Sequence, residues 1–172
     1  MENYVPDIYS KSIHTINYDM LASRGITCLF FDLDNTIIPV NEKLANDSTV
    51  RLFKNLKKKF KIYIVSNSFD KRVGRVGNQL GIKYLCYAQK PKTSKVEDLI
   101  KELKISIDKV AIIGDTLTDD ILCGNTIGIT TVLVDQLSTK EFPFAKLRRL
   151  KSRLIEKKLR DRDLFIKGRY YE

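Results

Sequence analysis

Short apolar runs recur along this chain, and the segments between them carry a helical period. The runs 27–31 (TCLFF), 62–65 (IYIV), 84–87 (YLCY), 110–114 (VAIIG) and 130–134 (TTVLV) predict five strands. From Ser48, the residues Leu52, Phe53, Leu56 and Phe60 mark one face of a helix whose other side carries lysines. A second helix is predicted from Asp70 to Gly81, and a third from Ser94, where Ser94 and Glu97 form a capping box. A fourth runs from about Asp119 to Gly128, the glycine being a natural stop. Strand and helix alternate from Gly25 to Val134 with no repeat, low-complexity tract or linker, which predicts one α/β unit with a parallel sheet.

The 172 residues are the length of one domain, with a core expected at about 25–135, a leader at 1–24 and a tail at about 140–172. Lysine and arginine number 31 against 21 acidic residues, so the net charge of +10 points to an anionic partner. No apolar run approaches the roughly 20 residues of a spanning helix, and the start MENYVPDIYSK does not read as a signal peptide. Cys28, Cys86 and Cys123 sit far apart in apolar surroundings, as reduced cysteines of a cytoplasmic protein would. Six residues after each of them stand Asp34, Lys92 and Ile129, so none opens a Cys-x5-Arg phosphatase loop. His14 is the only histidine, which argues against a histidine-rich metal site or a Ser-His-Asp triad. Carboxylates are left to carry any chemistry.

In parallel sheets ligands bind beyond the carboxyl ends of the strands. Following the first four predicted strands are Asp32-Leu-Asp34-Asn-Thr36, Ser66-Asn67-Ser68, Gln89-Lys90-Pro91-Lys92, and Gly114-Asp115 with Asp119 and Asp120. Two carboxylates as close as Asp32 and Asp34 repel, so a positive group is expected between them. The set supplies a carboxylate nucleophile, oxygen ligands for a hard cation and donors for phosphoryl oxygens. Each piece alone has a plainer reading, as a turn, a helix cap or a solvated loop lysine. The four in this order, each at a strand end, favour phosphoryl transfer.

This order of motifs resembles the haloacid dehalogenase (HAD) superfamily of phosphatases. The DLDNT form, Gly25-Ile26 ahead of it and a leader with Pro6, Ile13 and Ile16 are similar to the YqeG family of HAD subclass IIIA, itself similar to phosphatidylglycerophosphate phosphatases. The resemblance implies a Rossmann-like HAD domain in which Asp32 attacks phosphorus to give an aspartyl phosphate. Asp34 then serves as general acid and base. By the same resemblance Ser66 and Asn67 bind phosphoryl oxygens and Lys90 neutralises the charge shared by nucleophile and phosphate. Mg²⁺ is held by Asp32, the Asp34 main-chain carbonyl and Asp115, with Asp119 or, on spacing, Asp120 as the further acidic residue. Thr36 is expected to fix the loop. Receiver domains use a similar residue set, but their phosphorylated Asp follows a later strand.

Between Thr36 and Ser66 lie 29 residues, and between Ser66 and Lys90 lie 23, too few in either gap for a cap domain. The site is therefore expected to be open, suited to a large or surface-bound phosphate ester. Residues 140–172 hold twelve basic against five acidic residues, and Phe144, Leu147, Leu150, Leu154 and Leu159 recur near helical spacing among Lys146, Arg149, Lys151, Arg153, Lys157 and Arg160. Such a basic C-terminal helix lies on an anionic membrane or packs its leucines on the domain. The expected activity is a Mg²⁺-dependent phosphatase of a membrane lipid phosphate, phosphatidylglycerophosphate first, on the inner face of the membrane. The alternatives are a soluble sugar phosphate or nucleotide as substrate, or a nucleic-acid or ribosome-associated protein with a vestigial site and Phe165, Tyr170 and Tyr171 as stacking groups.

Overall fold

The computed structural model describes residues 1–139 and 145–172, with the side chains of 145–150 left out of the description. Six strands form one wholly parallel sheet in the order β1-β6-β5-β2-β3-β4. They are β1 (Ile8–Ser10), β2 (Cys28–Phe31), β3 (Lys61–Val65), β4 (Lys83–Leu85), β5 (Val110–Gly114) and β6 (Thr130–Val134). All five predicted strands are present. The 84–87 run is displaced, because the strand starts at Lys83 and ends at Leu85, and Tyr87 already has a left-handed backbone with φ 48°.

Side chains alternate across the central strands and fill two cores. Leu29, Phe31, Ala111 and Ile113 face one side, where Phe53 and Leu56 of α2 (Asp47–Leu56) and Val73, Val76 and Leu80 of α3 (Asp70–Leu80) meet them. Cys28, Phe30, Val110 and Ile112 face the other, against Val96 and Ile100 of α4 (Ser94–Leu103) and Cys123 of α5 (Leu122–Ile127). Burial on both faces is why β2 and β5 read as unbroken apolar runs. Gly81 ends α3 and Gly128 ends α5 in left-handed conformations, as predicted.

Two local expectations, both at helix starts, need correction. The helix from Ser94 is capped at Thr93 with no side-chain bond to a backbone N–H, and the Thr93 hydroxyl instead lies 3.0 Å from the Glu97 carboxylate. The helix expected from Asp119 opens with a π-helical turn, Leu117–Ile121, before α5 begins. The leader is an integral part of the fold: β1 pairs with β6, and α1 (Tyr18–Ser23) packs Leu21 into the first core. Asp7 ties β1 to the sheet by accepting from the Thr131 N–H and hydroxyl at 2.8 and 2.9 Å.

The predicted basic helix is present as α6 (Ala145–Asp161), and no described helix is long and apolar enough to cross a membrane. Ile155 and Leu159 pack with Phe165 against Tyr9, Leu117, Ile121 and Leu133, so this part of the helix is docked on the domain. Leu154, expected on the apolar face, is exposed, while Phe144 and the side chains of Lys146, Leu147, Arg149 and Leu150 lie outside the description. The aromatics proposed for base stacking have internal partners. Tyr9 has ring contacts with Phe165, Tyr170 and Tyr171, the Tyr170 hydroxyl donates to Asp135 at 2.6 Å, and Tyr171 pairs antiparallel with Tyr9.

Candidate active site

The expected rim forms because β2, β3 and β5 are sheet neighbours in register. Phe31 stands opposite both Ile64 and Ile113, so the next residues emerge together at the carboxyl edge. Asp32 is buried, and its N–H still donates to Ile113 at 2.8 Å, which holds the carboxylate at the end of the ladder. Lys90 arrives from the loop after β4 with its side chain 1% exposed. Its ammonium donates to Asp32 Oδ1 at 2.8 Å, Asp120 Oδ1 at 2.5 Å and the Val65 carbonyl at 2.6 Å.

Asp120, rather than Asp119, joins the cluster. The extra residue of the π-helical turn brings it back over β5, where Thr116 donates to its Oδ2 from the hydroxyl at 2.6 Å and from the backbone at 3.2 Å. Gly114 makes room, because a Cβ there would lie 2.2 Å from the Asp120 carboxyl carbon. Asp32, Asp115 and Asp120 each present an oxygen within 4.8 Å of the others. Thr36 donates to Asp115 at 3.3 Å, linking the loop after β2 to the loop after β5.

Electrostatics give this cluster a deficit of positive charge. Burial raises the Asp32 carboxyl to about 7, with Lys90 working against the rise and Asp120 adding to it. Burial also lifts Asp115 well above the ordinary range, and Asp32 and Asp120 add to the effect. For Lys90 burial opposes the charge, but its two carboxylate partners outweigh it and hold the amine protonated. With all three carboxylates ionised, one ammonium leaves two negative charges unmatched. A hard divalent cation matches that deficit and those oxygen donors, and Mg²⁺ is such an ion.

Asp34 belongs to a different arrangement. Its side chain lies outside the carboxylate cluster and is clamped by Arg72 of α3, whose Nε and second guanidinium nitrogen stand 2.7 and 2.6 Å from Oδ1. The Ser68 hydroxyl donates to Oδ2. Arg72 also reaches the Glu42 carbonyl at 2.9 Å, so it stitches the 39–46 loop to α3. Arg72 is not among the residues expected from sequence, and Ser68 stands in the Ser66-Asn67-Ser68 stretch without an expected role.

Ser66 is buried at the end of β3, with its hydroxyl accepting from the Ser68 N–H at 3.1 Å. Asn67 makes a reciprocal pair with the Lys90 main chain: its Oδ1 accepts from the Lys90 N–H at 2.7 Å and its amide donates to the Lys90 carbonyl at 2.9 Å. Its amide therefore fixes the lysine loop. His14 is exposed and meets Thr49 at 3.3 Å, while burial pushes the thiols of Cys28 and Cys123 up to about 11 and about 12. Thiolate chemistry at these two cysteines is disfavoured at neutral pH.

Comparison with known proteins agrees with this geometry. A family model described as HAD-hydrolase-like matches residues 87–151, which include Lys90, Asp115 and Asp120. The chain is 28% identical over 153 residues to the probable phosphatase YqeG of Bacillus subtilis, covering 88% of this chain and 89% of that one. It is 26% identical over 168 residues to phosphatidylglycerophosphate phosphatase 1 of Arabidopsis thaliana, covering 91% of this chain and 48% of that protein, so it spans about half of that relative. The cobalt-bound deoxy-D-mannose-octulosonate 8-phosphate phosphatase of Haemophilus influenzae shares the fold, with a TM-score of 0.50 at 18% identity over 66% of this chain and 80% of the other. Motif order, sheet topology, carboxylate rim and relatives agree with one another: this chain is similar to HAD-like phosphatases.

Proposed function

We propose that the chain hydrolyses a phosphomonoester through an aspartyl phosphate on Asp32, and that its substrate is a phosphate headgroup at an anionic membrane, phosphatidylglycerophosphate in the first instance. One observation carries the chemistry: a buried aspartate at a strand end is held by a buried lysine inside a cluster of three carboxylates, which one ammonium cannot balance once all three are ionised. Asp32 attacks phosphorus and displaces the alkoxide, while Asp34, held in place by Arg72 and Ser68, protonates the leaving oxygen and later takes a proton from the hydrolytic water. Lys90 and Ser66 bind the phosphoryl oxygens, and Asn67 holds the Lys90 loop. Asp32, the Asp34 carbonyl and Asp115 would hold Mg²⁺, with Asp120 beside them. When bound, that ion supplies charge neutralisation and a template for the phosphoryl group.

The membrane-lipid reading draws on three features. The described residues around the rim contain no cap, so a headgroup at a surface has access. Helix α6 packs by Ile155 and Leu159 against Leu117 and Ile121, the turn that carries Asp120, and it exposes Leu154 among Lys151, Arg153, Lys157, Lys158 and Arg160 beside that turn. One relative is itself named for phosphatidylglycerophosphate. The test is Mg²⁺-dependent phosphate release from phosphatidylglycerophosphate in mixed micelles, for the wild type beside Asp32→Asn, with a soluble sugar phosphate for comparison. Lipid turnover that exceeds the sugar phosphate rate and vanishes in the variant is the expected result. Turnover of the soluble ester alone would keep the mechanism and reject the lipid.

A further inference from the structure

At the opposite pole, where the strands begin, the sheet ends in a row of cations. Lys109, Thr27 and Lys61 sit side by side at the feet of β5, β2 and β3, tied by Thr27 N–H to the Lys109 carbonyl and Lys61 N–H to the Thr27 carbonyl, both at 2.9 Å. Lys57, Lys58 and Lys59 follow the end of α2 on one face of the sheet, and Lys104 follows the end of α4 on the other. Together they line an open groove of about 650 Å³. It lies roughly 15 Å from the catalytic rim, the length of a strand of four or five residues.

All six lysines are exposed, and they come from two stretches distant in sequence, 57–61 and 104–109, so no single solvated helix face accounts for them. Lys59 pairs with Asp19 at 2.6 Å, Lys57 donates to the Leu80 carbonyl and Lys58 to the Asn55 side chain. Among the described residues no ion pair joins Lys61, Lys104 or Lys109 to a carboxylate. With Lys59 matched by Asp19, five like charges are left around one concavity and repel one another unless an anion sits among them.

The lining selects the kind of anion. Phe60 is buried and Ile105 half-buried, so no exposed ring is offered to a base and no exposed large apolar side chain to a bilayer. None of the lining residues is an arginine. Lysine ammonium groups act as point charges toward phosphate oxygens, and a concave site of this volume falls in the range of small-molecule pockets, about 300–1,000 Å³. We propose that this groove is a second anion site that binds a soluble oligophosphate, a small molecule carrying two or three linked phosphates.

The probe is inorganic tripolyphosphate, titrated calorimetrically into the full-length protein in EDTA at physiological salt. The wild type is compared with the groove variant Lys58→Gln/Lys61→Gln/Lys109→Gln and with Lys101→Gln/Lys167→Gln/Arg169→Gln, which removes the same charge elsewhere on the surface. Saturable binding that weakens at least about tenfold in the groove variant and less than about twofold in the other is the expected result, three exposed charges each contributing modestly. Circular dichroism and thermal melting establish that both variants fold. Absence of binding to the wild type, or equal loss in the two variants, would overturn the proposal. So would displacement of tripolyphosphate by a short single-stranded RNA at lower phosphate concentration, or loss of binding to phosphatidylglycerol vesicles confined to the groove variant, which would reassign the groove to a nucleic acid or a membrane.

Discussion

The two ends of the sheet handle charge in opposite ways. At the carboxyl edge Lys90 is buried against Asp32 and Asp120, and each charge is defined by its partners. At the amino edge Lys61, Lys104 and Lys109 stand in water. Coulomb energy scales inversely with the local dielectric, so a charge at the first end is strongly coupled to fold and chemistry, whereas one at the second is screened by salt and free to meet a ligand. Burial separates the two ends more than charge number does.

Removing a charge from each end should therefore have effects of opposite sign. In EDTA, Lys90→Met should lose about 3–5 kcal/mol in denaturant unfolding, because it strands buried carboxylates. Mg²⁺ should return part of that loss, since the cation takes up the charge the ammonium left. A Lys90→Met variant as stable as the wild type would break the contrast.

A smaller effect is expected at the edge of the rim, where Asp34 and Arg72 are partly exposed, at 18% and 11% of their side chains. Arg72→Gln should lower kcat roughly 10- to 100-fold with little change in KM, as expected when a general acid is misplaced rather than the substrate lost. Arg72→Lys should fall between, because it keeps the charge without the planar fork.

The pH dependence follows from the raised carboxyls. Asp32 titrates near 7 and Asp115 well above its ordinary value in the folded state, against about 3.9 in the unfolded chain. Between those values the unfolded state holds fewer protons, so the stability of the metal-free protein should fall as pH rises from about 4 through 7. Mg²⁺ favours the ionised forms, and its thermal stabilisation should be larger at pH 8 than at pH 5. Scanning calorimetry with and without Mg²⁺ at the two pH values checks this; equal shifts would contradict it.

The smallest effect belongs to the lysine pole. The triple substitution of Lys58, Lys61 and Lys109 by Gln should raise stability at low salt by up to about 0.5 kcal/mol, and the gain should disappear at high salt. Destabilisation there would mean that the amines serve the fold as those of the rim do.

The sequence displays the rim because residues that end parallel strands are brought together by register, so Asp32, Ser66 and Asp115 are legible from the runs that precede them, while Lys90 comes in on the loop after β4 that Asn67 holds. Arg72 is not legible: it lies on α3, 38 positions from Asp34, and only the packing of that helix turns it toward the carboxylate. The π-helical turn is hidden for a similar reason, since one extra residue in a polar stretch leaves the pattern unchanged yet selects Asp120 over Asp119. Strand β1 is three residues long in a segment with no apolar run and exists because β6 offers it an edge. The lysines of 57–61 look like a solvated helix face until register sets Lys109 beside them and α4 delivers Lys104.

The central claim is that Asp32 accepts a phosphoryl group with the help of a divalent cation, and it can be tested without knowing the substrate. Beryllium fluoride bonds to a carboxylate oxygen with the shape and charge of a phosphoryl group, so ¹⁹F NMR of the protein with fluoride, Be²⁺ and Mg²⁺ reads the nucleophile directly. Bound resonances that require Mg²⁺ and are absent in Asp32→Asn are the predicted result. An adduct that survives Asp32→Asn, or no adduct in the wild type with Mg²⁺ present, would contradict the account.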